Sequence, residues 1–168
     1  MMAEKRGWLS CGALALLVIA GGQYLLSEAV TVQAAPAVWR DHATGFAIGG
    51  YDPVAYHTQR RPVRGRNGLE HQWGGAAWRF FNSGNRDAFA KHPEIYVPRF
   101  AGYDAFALSR GLTLQGEPLL WVFYKGRLLL FQNRKNLKLW KRNPDAVTKR
   151  ASINWKKLGK DLPGTSGR

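Results

Sequence analysis

Leu119-Leu-Trp-Val-Phe-Tyr-Lys-Gly-Arg-Leu-Leu-Leu-Phe131 reads as two strands, 119–124 and 127–131, joined through Lys125-Gly126. A glycine in a two-residue connection supplies the positive φ that a tight hairpin turn needs. Both arms are apolar at consecutive positions instead of alternating, the pattern of strands covered on two faces, so this hairpin is expected at the centre of a sheet. Upstream, Gly74-Gly75 separates 71–73 from 76–81, and Ala76, Trp78 and Phe80 alternate with Ala77, Arg79 and Phe81. That alternation predicts a second hairpin with one buried face.

Helices are expected around the hairpins. Asp52-Pro53 has an N-cap acid followed by proline in the first turn, which predicts a short helix over 53–58. Asn82 or Ser83 caps a helix that runs to Lys91 with Phe89 inward, before His92-Pro93 breaks it. The stretch 134–142 buries Leu137 and Trp140, and Asn143-Pro144 starts a last helix. On that helix Val147, Ala151, Trp155 and Leu158 share one stripe while Lys149, Arg150, Lys156 and Lys157 point away. Residues 96–98 read as extended or looped, and 100–109 fit a buried strand or a helical turn equally well. No internal repeat of solenoid length is visible. The expected fold is α+β: a small antiparallel sheet of two hairpins with short helices packed on it, preceded by an N-terminal membrane helix.

That membrane helix is read from residues 7–26, which carry no charge and follow Lys5 and Arg6. About 20 residues at ~1.5 Å each match the thickness of a hydrocarbon core. The stretch 1–35 is therefore a signal peptide or transmembrane anchor. Val32-Gln33-Ala34 offers a cleavage pattern, but lies well beyond the apolar centre, which favours a retained anchor. The basic flank places the N-terminus in the cytoplasm and the bulk of the chain across the membrane. Residues 36–48 read as a linker, 49–160 as the domain and 161–168 as a flexible tail.

Twenty-five Lys and Arg stand against 11 Asp and Glu, a formal net charge of +14, and removing 1–35 leaves 23 against 9, so the charge belongs to the domain. The expected partners are anionic. Export argues against nucleic acid, and no nucleic-acid-binding module is recognisable, which leaves anionic lipid or an acidic envelope protein. Arg134, Lys138, Lys141, Arg142, Lys149, Arg150, Lys156 and Lys157 are the candidate contacts on the two C-terminal helices. The single cysteine, Cys11, lies in the apolar leader, so the domain has no thiol for redox, metal or nucleophilic chemistry. There is no G-x-S-x-G motif, and nine scattered acids do not make an evident acid–base pair, so no catalytic residue is assigned.

The ordered motifs GGYDPVAYHTQRRPVRG (49–65), HQWGGAAWRFFNSGNRDAFAKHPEIYVPRFAGYDAFALSRG (71–111), WVFYKGRLLL (121–130) and NWKKL (154–158) resemble the exported YHS-domain proteins of bacteria. The resemblance covers about two-thirds of the chain. It implies a small α+β unit in the periplasm, either held at the inner membrane or secreted. It also implies association with metal-transport or oxidoreductase systems, the wider group being linked with metal binding through cysteines. This chain departs from the pattern at the cysteines. Ala55 stands where the wider group carries Cys after Asp-Pro-Val, and Asp104 stands where the exported subgroup reads Gly-Tyr-Cys-Ala.

Asp104 in an apolar segment, with His57 and His71, forms a candidate O,N,N set for a divalent transition metal, carboxylate and imidazole being sound ligands for zinc, copper or iron. The alternative makes Asp104 a buried acid paired with an arginine, or a cap at a turn. Tyr51, Tyr56 and Tyr103 are candidate pocket residues, with simple core packing as the alternative for Tyr51 and Tyr56. Two functional expectations stand: a binding module for a metal ion or small ligand without its own catalysis, and an interaction protein that docks its basic face on an anionic surface.

Overall fold

Hairpins, caps and helices fall largely where the sequence places them in the computed structural model, which describes residues 38–158. Helix α1 (Pro53–Thr58) is followed by strands β1 (Glu70–Trp73) and β2 (Ala76–Arg79), then α2 (Ser83–Lys91) and the single turn α3 (Pro93–Tyr96). The second half runs α4 (Ala105–Ser109), β3 (Glu117–Tyr124), β4 (Arg127–Phe131), α5 (Arg134–Arg142) and α6 (Pro144–Leu158). The ambiguous stretch 100–109 resolves as helix at its C-terminal end, and Tyr96 closes a helical turn instead of opening an extended segment.

The fold is α+β, but the two hairpins do not join. Each forms its own two-stranded antiparallel sheet, β1 with β2 and β3 with β4. The double-sided apolar pattern of the second hairpin is nevertheless explained. On β4, Leu128 and Leu130 pack into one core cluster with Trp78, Phe80 and Phe89, while Leu129 and Phe131 pack into another with Trp140, Val147 and Ala151. Alternate residues thus serve two cores, so none of positions 128–131 is free to be polar. The proposed linker also contributes to packing: Val38, Ala47 and Ile48 are buried, with Ile48 opening a 3₁₀ turn. The leader and tail lie outside the described residues. Among those described, no helix is long and apolar enough to cross a membrane.

No repeat of solenoid length is visible in the sequence, yet the domain uses one structural arrangement twice. Residues 50–96 and 102–147 share the order helix, hairpin, capped helix, proline-initiated turn, and differ by one residue in the loop after the first helix. The correspondence extends to individual bonds. Asp52 N donates to Val63 O as Asp104 N donates to Leu114 O, and Gly65 N donates to Gly50 O as Gly116 N donates to Gly102 O. Tyr51 bridges Arg64 as Tyr103 bridges Gln115. Both hairpins turn with two residues at positive φ, Gly74-Gly75 and Lys125-Gly126. The Phe80 and Phe89 rings lie 5.2 Å apart at 53°, and their counterparts Phe131 and Trp140 lie 5.3 Å apart at 54°. The copies diverge after the proline turn: α3 stops at Tyr96, whereas α6 continues to Leu158 and packs on α4.

Candidate functional site

Asp104 and Asp52 occupy equivalent places and do the same work. Each is the N-cap of a short helix, with extended backbone and a fully buried side chain. One oxygen of Asp52 accepts from Val54 N and Ala55 N, and the other accepts from Phe81 N and Asn85 Nδ2. Asp104 accepts from Ala107 N on one oxygen and from Gln132 N and Asn136 Nδ2 on the other. Each carboxylate therefore ties the start of one helix to the exit of the following hairpin. Asn82 and Asn133 complete the joint by capping the next helix through Asn85 N and Asn136 N. A buried carboxylate needs such donors, and here backbone and asparagine N–H groups supply them: of the alternatives for Asp104 the structure shows the cap, with neither a metal ligand set nor an arginine beside it among the described residues.

The candidate metal set is not assembled. His57, at the end of α1, packs edge-on against Tyr96 and Phe123, while His71, on β1, faces Phe89. Among the described residues no group of three His, Cys, Asp or Glu side chains is placed to hold a metal ion. Of the tyrosines, Tyr56 is fully buried and donates its hydroxyl to Pro118 O, and burial pushes its ionisation well above the ordinary phenol range. Tyr51 lies under the Arg64 guanidinium, and Tyr103 is buried against Trp155. These three do not line the cleft described below.

His57 carries a buried Nε2 without a hydrogen-bond partner. Burial, together with the positive charges of Arg60 and Arg127, lowers its pKa below the usual 6.5. Between the folded value and 6.5 the unfolded chain binds more protons, so folding stability falls as pH drops through that window and is constant below it. Thermal unfolding between pH 7.5 and 5 should show this acid-side loss, and His57→Phe, which keeps the aromatic packing, should flatten it. Parallel pH profiles for the two proteins would remove His57 as the cause.

The basic face is the asymmetric feature. Arg134, Lys135, Lys138, Lys141 and Arg142 on α5, and Lys149, Arg150, Lys156 and Lys157 on α6, are all exposed. Across both helices the one acid is Asp145. Among the described residues none of these nine cations is in an ion pair. On α6, Lys149, Arg150, Lys156 and Lys157 stand three and four residues either side of Ile153, which is 48% exposed. At helical spacing they form one stripe, an apolar side chain ringed by four cations. The part of α6 that carries this stripe has no counterpart in the first copy.

At the root of the stripe lies an open cleft of about 570 Å³ between the β3–β4 turn and the start of α6. Arg99, Lys125 and Lys149 line it, with Tyr124, Ser152 and one acid, Asp145. Asp145 accepts from Lys125 Nζ and from the Tyr124 hydroxyl, and these two bonds hold its carboxyl below the usual carboxylate range. Lys149 is among the contacts expected from the sequence, whereas Arg99, Lys125 and Tyr124 are not, because they come together only when the hairpin turn folds against α6.

Comparison with family models, curated proteins and solved structures returned no match for this chain.

Proposed function

We propose that this chain is an exported, membrane-associated module of YHS-like type, without catalysis of its own, that docks the basic face of α5 and α6 on anionic lipid headgroups at the membrane surface. The observation that carries the reading is the set of nine exposed cations on α5 and α6 against a single acid, none of them in an ion pair among the described residues, four of them on the part of α6 where the second copy departs from the first. In the first copy α2 carries Arg86, Lys91 and the acid Asp87 where α5 carries five cations and no acid, and nothing corresponds to α6 beyond Val147, so the shared fold does not account for the excess. The exposed Ile153 within the α6 stripe suits an interface where an apolar side chain enters the headgroup layer while lysines stay at its surface. The ordered YHS-like motifs and the apolar stretch within 1–35 support the address. The metal-binding reading loses its central ligand, since Asp104 already holds three donors in place.

Each base near an anionic surface contributes about 1 kcal/mol at moderate ionic strength. The full chain in non-ionic detergent should therefore transfer to phosphatidylglycerol-containing vesicles more strongly than to phosphatidylcholine ones, with the excess declining as salt rises. Comparing the two lipids separates charge from any apolar contribution of residues 1–35. Reversing Lys149, Arg150, Lys156 and Lys157 together to Glu should weaken the anionic excess by at least about a hundredfold. Equal transfer to both vesicle types, at every salt concentration, would sink the docking function.

A further inference from the structure

We propose that the cleft between the β3–β4 turn and α6 is a phosphate-monoester site. This inference rests on, and deepens, the docking function above. Its lining sets three cations, Arg99, Lys125 and Lys149, against Asp145, a local charge of +2. A phosphate monoester carries close to two negative charges at neutral pH, and its three terminal oxygens match donors arriving from several directions. The donors come from three separate segments: Arg99 from the connection after α3, Lys125 from the hairpin turn and Lys149 from the second turn of α6. The acid does not block the site. It accepts from Lys125 and Tyr124, bonds that fix the ammonium and raise its pKa, and it leaves Arg99 and Lys149 without an acid partner among the described residues.

The duplication provides an internal control for this assignment. The turn residue equivalent to Lys125 is Gly74, and both sit at positive φ, 49° and 61°. Glycine is the residue such a position favours, so the lysine is held there against backbone preference. Lys149 lies beyond the point where the copies diverge, and it is exposed without an ion-pair partner among the described residues. Arg99 is half-buried, with its guanidinium bonded to the Ser152 hydroxyl and, among the described residues, to no acid. The first amides of α6 add little, because Ala146 N and Val147 N are already bonded to Asn143. Recognition therefore falls to the side chains.

Inorganic phosphate is the first probe, titrated by calorimetry into the full chain in non-ionic detergent at fixed ionic strength. Saturable binding is expected, weakened about tenfold by Lys149→Gln, as removal of one charge-assisted donor implies. Lys125→Gly restores the residue of the first copy. It should keep or raise thermal stability while weakening phosphate at least as much, because it removes a cation and frees Asp145 to repel the anion. The second arm uses vesicles containing phosphatidic acid or phosphatidylglycerol at matched surface charge. Preference for phosphatidic acid, lost in Lys125→Gly, assigns the site to a lipid headgroup; phosphate binding without that preference assigns it to a soluble phosphate compound. No saturable phosphate binding and no phosphatidic acid preference would overturn the site even if salt-sensitive docking on phosphatidylglycerol persists. Phosphate binding without any docking would keep the site and remove the docking function.

Discussion

Asp104→Ala is expected to destabilise the domain by about 3–5 kcal/mol, through loss of a cap and of a buried acceptor shared by separate elements. The substitution leaves Ala107 N, which is buried, and Gln132 N and Asn136 Nδ2, which are partly buried, without their partner. A missing cap alone costs about 1 kcal/mol, and each buried donor left unsatisfied adds about 1–3 kcal/mol. Against a typical total of about 5–15 kcal/mol, that is a large share. Asp52→Ala should cost a similar amount, since Asp52 holds the equivalent donors in the first copy. Urea denaturation of the two variants is the measurement. A loss under about 1 kcal/mol in both would show that the carboxylates do not hold the helices to the hairpins and would reopen a binding role for Asp104.

Gly65→Ala and Gly116→Ala should each destabilise by about 3 kcal/mol or more, the upper range for overpacking. A Cβ at Gly65 would come within 2.4 Å of Arg79 Cγ, 2.6 Å of the Arg79 carbonyl carbon and 2.7 Å of Phe80 N. At Gly116 it would meet Leu130 Cβ at 2.5 Å and Gly102 O at 2.9 Å. The backbone contacts cannot be relieved by a rotamer change. In each copy the glycine lets the chain entering the hairpin pass against the hairpin's second strand while its amide bonds to the residue two before the buried aspartate. Gly68→Ala is the useful comparison: its Cβ would meet nothing within 4 Å, but its φ of +79° imposes backbone strain alone. The close-packed glycines should cost clearly more, and equal losses at all three would mean that the approach at Gly65 and Gly116 relaxes easily. Thermal unfolding resolves these differences.

The elements were legible because their signals are local. Asp52-Pro53, Asn82, Asn143-Pro144 and the two hairpin turns act within a few residues of themselves, and they mark helix starts and strand reversals wherever the chain goes. The duplication was not legible, although Gly-Tyr-Asp occurs at 50–52 and again at 102–104. The core positions that fill equivalent space hold different residues, Trp78 against Leu129 and Phe89 against Trp140, so apolar identity does not repeat even though ring geometry does. Shared residues sit mainly at caps and close approaches, too sparse to stand out as a period. For the same reason Asp104 looked exceptional. Placed beside Asp52 it is the second instance of a joint that the fold uses twice.

The amino-acid sequence alone determined the hairpins, most of the helices, the absence of a domain thiol and the concentration of charge on the C-terminal helices. All of these follow from short-range sterics, from periodicity or from composition, which need no knowledge of distant neighbours. Tertiary structure alone decided that the hairpins form separate sheets, that β4 serves two cores, and that Asp104 spends its oxygens on Gln132, Asn136 and Ala107. It also gathered Arg99, Lys125 and Lys149 around one cleft. Hydrogen-bond satisfaction and charge convergence depend on which segments meet in space, and the meeting of segments far apart in the chain is not written in any one of them.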